Sequence, residues 1–197
     1  MKARKRRQPG LSLIELLVGV AIVGLLVMIA APSFSRFIAV QRLRSISAAL
    51  VTDIQFVRAE AASRNTEVVL KFVNDPLAST TCYVLLTGDH NVCNCNRTPG
   101  VDICSDSTAR ELRSVQVQRG QGVTVTIPPG QTVNKLLFEP ATGRIRVATS
   151  DTFIQPTGAF LVDVGHPSVG VLRTSIEPTG RPSTCSPSGA VSGVPAC

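Results

Sequence analysis

The sequence predicts an α+β protein, one long N-terminal helix followed by antiparallel β-sheets, and three observations carry that expectation. An unbroken apolar run, Leu16 to Ala31, is followed by apolar residues at spacings of three and four as far as Ala61. The remainder is rich in Thr, Val, Gly and Pro, with no Trp, one Tyr and seven Phe, which is the composition of short strands and many turns. Six cysteines, an even set, are confined to the later part of the chain, as in a domain closed by disulfides in an oxidising compartment. At 197 residues the chain can bury one core of ordinary size.

The formal charge of +7 points toward nucleic acid only until its distribution is read. Five of the twenty basic residues are Lys2, Arg4, Lys5, Arg6 and Arg7; beyond them 15 basic residues face 13 acidic ones. That surplus is too small to imply a polyanionic partner.

The basic patch precedes Gln8, Pro9 and Gly10, and then the apolar run begins. Positive charge stays on the cytoplasmic side of a membrane. As a helix, Leu11 to Ala31 extends roughly 30 Å at 1.5 Å per residue, the thickness of a bilayer's hydrocarbon core. A conventional secretory signal is cut after its apolar region, whereas here the Pro-Gly break lies before it. Glu15 is the anomaly, because a carboxylate within an apolar span costs on the order of 2 to 3 kcal/mol near the bilayer centre, less toward its edge. One reading of it is local: Ser12-x-x-Glu15 has the form of a capping box. Pro32 either loosens and kinks the helix or simply ends the apolar span.

The run Gly10-Leu11-Ser12-Leu13-Ile14-Glu15 resembles the type IV prepilin signature. The resemblance implies that a prepilin peptidase cuts between Gly10 and Leu11 and methylates the Leu11 amine. It also implies that Glu15 pairs with a neighbouring subunit's N-terminal amine during assembly. Leu11 stands where that family usually has Phe, and Ser12 where it usually has Thr. Pilin helices also commonly carry a proline at about the depth of Pro32.

Beyond Pro32, the residues Leu43, Ile46, Leu50, Ile54, Val57 and Ala61 form one apolar stripe that should pack on a sheet. Arg42, Arg44, Asp53, Arg58, Glu60 and Arg64 fall largely off it and read as a solvated face, with Asn65 as the helix stop. The stretch Val57 to Val68, with Arg58-Ala-Glu60-Ala and Arg64-Asn65, is similar to the helix-to-strand junction of the GspH/FimT group of minor pilins and pseudopilins. Strands are expected at Glu67–Phe72, Cys82–Leu86, Leu112–Gln118, Val123–Ile127, Lys135–Phe138, Arg144–Ala148, Ala159–Val164 and Val169–Ile176. Glu139-Pro-Ala-Thr-Gly-Arg144 and Glu177-Pro-Thr-Gly-Arg181 read as two hairpin turns, and Phe138 followed by the first of them resembles the middle of a GspH/FimT domain.

These readings divide the chain into a leader, 1–10, a helix, 11–64, and a β-rich periplasmic domain, 65–197. Within the helix, 11–33 crosses the membrane and 34–64 is amphipathic. His90, Cys93, Cys95 and Cys104 lie close together, but the spacing lacks the paired form of structural zinc sites, and disulfides in a surface loop are preferred. Cys93 and Cys95 are too near in sequence to bond each other, so the pairs should involve Cys82 and Cys104. Cys185 and Cys197 enclose a Pro/Gly/Ser-rich tail with little apolar content, and a bridge between them would restrain an otherwise floppy end. Neither His90 nor His166 sits in a nucleophile motif, no phosphate loop is present, and nothing asks for a cofactor, so no enzyme is expected.

The expected function is therefore assembly. The chain should be a single-pass inner-membrane minor subunit, N-terminus cytoplasmic and domain periplasmic, that joins other minor pilins and the major subunit at or near the tip of a type IV pilus and so reaches the extracellular filament. The alternative is the minor pseudopilin H of type II secretion. The rival of a different kind is DNA uptake: some FimT-like subunits carry Gly-Arg-x-Arg near the C-terminus, where this chain has Gly180-Arg181-Pro182-Ser183. A literal Gly143-Arg144-Ile145-Arg146 lies upstream, where an ordinary solvated hairpin is the preferred reading.

Overall fold

The computed structural model describes residues 12–73, 75, 78–97 and 103–197, with residues 30–32 as helical backbone only. Among the described residues a helix, α1 (Leu13–Arg64), is followed by nine strands. The chain divides into two units, residues 1–38 and 39–197.

In the first unit every described apolar side chain of the helix is exposed, from Leu13 and Ile14 through Val20, Val23 and Met28 to Phe37. A helix that is apolar on all sides is stable only where something other than water surrounds it. No single helix among the described residues is long and apolar enough to cross a membrane. Leu13–Ile29 and Ser33–Arg64 taken together qualify by length and composition.

In the second unit the stripe turns inward: Leu43, Leu50, Ile54, Val57 and Ala61 are fully buried, and Ile46 packs at their margin. The helix stops where Asn65 adopts φ 51°, a left-handed conformation that asparagine tolerates better than most residues. The Thr66 N–H then closes on the Ala61 carbonyl at 3.3 Å.

Five strands form one antiparallel sheet: β1 (Val68–Val73), β2 (Thr80–Gly88), β3 (Ala109–Gln118), β5 (Lys135–Phe138) and β6 (Ile145–Ala148), in the order β3-β2-β1-β5-β6. Four more, β4 (Thr124–Thr126), β7 (Phe160–His166), β8 (Gly170–Ile176) and β9 (Pro182–Cys185), form a second in the order β4-β7-β8-β9. The helix stripe, Val68, Leu70 and Phe72 of β1, Tyr83 and Leu85 of β2, and Phe160, Val162 and Val164 of β7 share one core. Phe72 joins the two sheets, its ring 5.7 Å from Tyr83 and 5.8 Å from Phe160. The opposite face of the five-stranded sheet is also covered. Val69, Val84, Leu86 and Leu137 lie there beneath Cys93, Cys95 and Ile103 of the loop between β2 and β3. A strand buried on both faces shows a continuous apolar run rather than alternation, which accounts for the burial of Thr81 through Leu86.

One expectation, that the charges beside the stripe form a solvated face, needs correction in part. Asp53 is not on a solvated face: it is 1 % exposed and held by partners on the sheet. Arg44 is half-buried and donates to the Ser192 carbonyl, while Arg42 stays exposed and donates to the Gln121 carbonyl. The tail after Cys185 is closed by the expected Cys185–Cys197 bridge and is also packed, because Val191 enters the main core and the Ser186 N–H bonds back to the Pro195 carbonyl at 2.8 Å. Strand β9 had no sequence signal. Its proline is admissible because it begins an edge strand, where a missing N–H costs no ladder bond.

Candidate functional site

Gly10 and Leu11 lie outside the described residues. Glu15 occupies the first turn of α1, where the helix dipole favours negative charge, and it is exposed among apolar neighbours. Leu16 N–H donates to the Ser12 carbonyl at 3.2 Å. Among the described residues, however, neither the Ser12 hydroxyl nor the Glu15 carboxylate has a hydrogen-bonding partner, so the reciprocal bonds of a capping box are not formed. The helix therefore presents a free carboxylate at the start of an apolar cylinder. Pro32 falls where only the backbone is described.

The six cysteines form three disulfides. Cys82–Cys95 ties β2 to the overlying loop, Cys93–Cys104 closes that loop, and Cys185–Cys197 closes the tail. Beneath the loop two lysines face each other across β1 and β5, Lys71 opposite Lys135. Lys71 Nζ donates to the carbonyls of His90 and Cys93 at 2.9 and 2.8 Å, and Lys135 Nζ to Asn91 Oδ1 and the Ser150 carbonyl at 3.0 and 3.1 Å. Burial pushes both ammonium groups below their ordinary pKa, and Lys135 depresses Lys71 further. His90 is pushed down in the same way, by burial first and then by Lys135, and its ring stands edge-on to Phe153 at 5.1 Å. With three of the four weighed zinc ligands in disulfides, this cluster fastens a loop to a sheet. His166 lies elsewhere, at the end of β7, and its Nδ1 accepts the Ser168 N–H at 3.2 Å in the turn to β8.

The two Glu-Pro…Gly-Arg turns meet. The Glu139 N–H closes the first on the Arg144 carbonyl at 3.0 Å, and the Glu177 N–H closes the second on that of Arg181 at 3.0 Å. Ile145 N–H, next to Arg144, donates to the Pro178 carbonyl at 3.0 Å. Arg144 and Arg181 are thus brought together, but Arg146 is not free to join them: its guanidinium donates to the Phe153 carbonyl at 2.9 Å.

Sequence reasoning missed Asp53. Its carboxylate accepts from Tyr83 Oη at 2.8 Å and from Arg113 at 2.6 Å, which locks α1 to β2 and β3. Burial, and then Asp53, hold the Tyr83 phenol far above its ordinary pKa. The only signal was position, since an acid between Leu50, Ile54 and Val57 borders the buried stripe.

Against known proteins, a family model described as type II transport protein GspH matches residues 47–180, more than half of the chain. A second, the prokaryotic N-terminal methylation motif, matches residues 5–31. No curated protein matches the chain, and no solved structure does.

Proposed function

Because the chain belongs to the GspH family of type II transport proteins and carries an N-terminal methylation motif, we propose that it is a membrane-anchored minor subunit, cut by a prepilin peptidase between Gly10 and Leu11, methylated on Leu11, and inserted at or near the tip of a type IV pilus. The family is structural, and nothing in this reading asks the chain to perform chemistry or hold a cofactor. The segment 11–33 would be the inner-membrane span, 34–64 the amphipathic part of the helix, and 65–197 the periplasmic domain. Other minor pilins and the major subunit are its partners.

The observation that carries the reading is Glu15: a carboxylate without a partner among the described residues, on a helix whose apolar side chains are exposed all round. Burying each of those side chains against lipid or neighbouring helices releases about 1.5–3 kcal/mol. A carboxylate moved into the same environment must find a cation, and the methylated amine of an adjacent subunit is the group this reading supplies. The test is Glu15→Gln. Processing and insertion should survive, because the apolar run is untouched, while cross-linking to partner pilins at equal membrane abundance should fall sharply. Undiminished cross-linking would reduce Glu15 to a helix-terminal residue.

A second reading, a minor pseudopilin of type II secretion, is favoured by the name of the matching family. Deleting the gene distinguishes the two: loss of surface pili supports the first, and retained pili with loss of exoprotein secretion supports the second. DNA uptake through Arg144, Arg146 and Arg181 is not adopted, because Arg146 is committed to Phe153.

A further inference from the structure

Most arginines of the second unit have acceptors within it: Arg113 has Asp53, Arg146 the Phe153 carbonyl, and Arg173 a two-point bridge to Asp163 at 2.7 Å. Arg58, Arg110, Arg144 and Arg181 have none among the described residues. Three of those four belong to segments that meet. The backbone at Gly180, φ 78°, lies so close to Gly143 that a Cβ on Gly180 would sit 2.3 Å from the Gly143 carbonyl oxygen. On the other side of Gly143, φ 63°, the Arg58 guanidinium fills the space where a Cβ would be, 2.7 Å from its Nε. Both positions favour glycine for their positive φ, and Gly180 also for the close approach of backbone. Three exposed arginines, one from the helix and one from each turn, thus border the same pair of glycines: the Arg58 guanidinium lies against Gly143, Arg144 follows Gly143 in the chain, and Arg181 follows Gly180.

We propose that Arg58, Arg144 and Arg181 form a docking surface for a short acidic segment of another pilin-like subunit, an inference that rests on the assembly reading above. Planar guanidinium forks match carboxylates bidentately, so three of them in a small area suit successive Asp or Glu side chains. A long polyanion such as DNA fits less well. Glu139 and Glu177 stand in the same two turns, Glu139 accepting the Thr142 hydroxyl at 2.9 Å, and they interrupt the positive patch. Beyond the leader the whole chain carries 15 basic against 13 acidic residues, so no broad field gathers phosphates. A patch of mixed sign selects a partner and its register more than it raises affinity.

The experiment measures binding of a fluorescent glutamate-rich peptide, and separately of a duplex oligonucleotide, to the detergent-solubilised full chain at physiological salt. The peptide should bind. Arg58→Gln, Arg144→Gln and Arg181→Gln combined should weaken it about tenfold, Arg181→Gln alone should weaken it in part, and Arg110→Gln, which removes an equal charge elsewhere, should leave it unchanged. Equal binding by the triple variant, an equal loss in Arg110→Gln, or tighter binding of the duplex through the same three residues would each overturn the proposal. Because the peptide probe does not depend on filament assembly, the patch can fail while Glu15 passes its own test, and the reverse.

Discussion

Asp53 is the residue on which the domain's interior turns. It lies just off the apolar stripe and its partners lie 30 and 60 positions away, so periodicity alone assigned it to a solvated face. Periodicity reads which side of a helix is apolar; it cannot see that a tyrosine and an arginine from two strands will meet a carboxylate at the stripe's border. Removing the charge while keeping the shape leaves one acceptor oxygen for two donors, so either the Tyr83 hydroxyl or Arg113 faces an amide NH2 and the charge-assisted bond to Arg113 is lost. Asp53→Asn should therefore cost about 1–3 kcal/mol in denaturant unfolding. Tyr83→Phe should cost less than the sum expected from independent sites when combined with it, since both changes break the same bond. A change within 0.5 kcal/mol for Asp53→Asn, about what a surface substitution gives, would mean that the carboxylate is not carrying this junction.

Among the elements, the helix and the core strands were legible because their signals are local. The stripe from Leu43 to Ala61 follows the helical period, and the expected bounds of Lys135–Phe138 coincide with β5. What stayed hidden is the C-terminal element, where Pro, Ser and Gly suppress strand propensity and two valines, Val191 and at the margin Val194, supply the apolar contact. Val191 is 2 % exposed, Arg44 holds the Ser192 carbonyl, and Ala190 packs on the turn at Gly170. The Cys185–Cys197 bridge thus fastens a segment that completes the core. Replacing both cysteines with serine should destabilise the domain by about 2–4 kcal/mol in chemical denaturation. An ornamental tail predicts no change.

For the molecule as a whole, the two units ask for different surroundings. The second closes a core between a helix and two sheets and covers the outer face of one sheet with a disulfide-bonded loop. The first exposes an apolar cylinder that nothing in the chain covers among the described residues. The methylation motif at residues 5–31 was legible in the sequence because it is a linear pattern, whereas the neighbourhood of residues 58, 144 and 181 needed the fold to bring their segments together. On the function proposed above, this chain becomes a subunit by processing at the boundary between charge and apolar helix. Intact-mass and N-terminal peptide analysis of the protein purified from cells with an active prepilin peptidase tests it most directly. The account requires a mature chain beginning at N-methylated Leu11, without Met1 to Gly10. A chain that still begins at Met1, or one cut beyond Ala31, would contradict it.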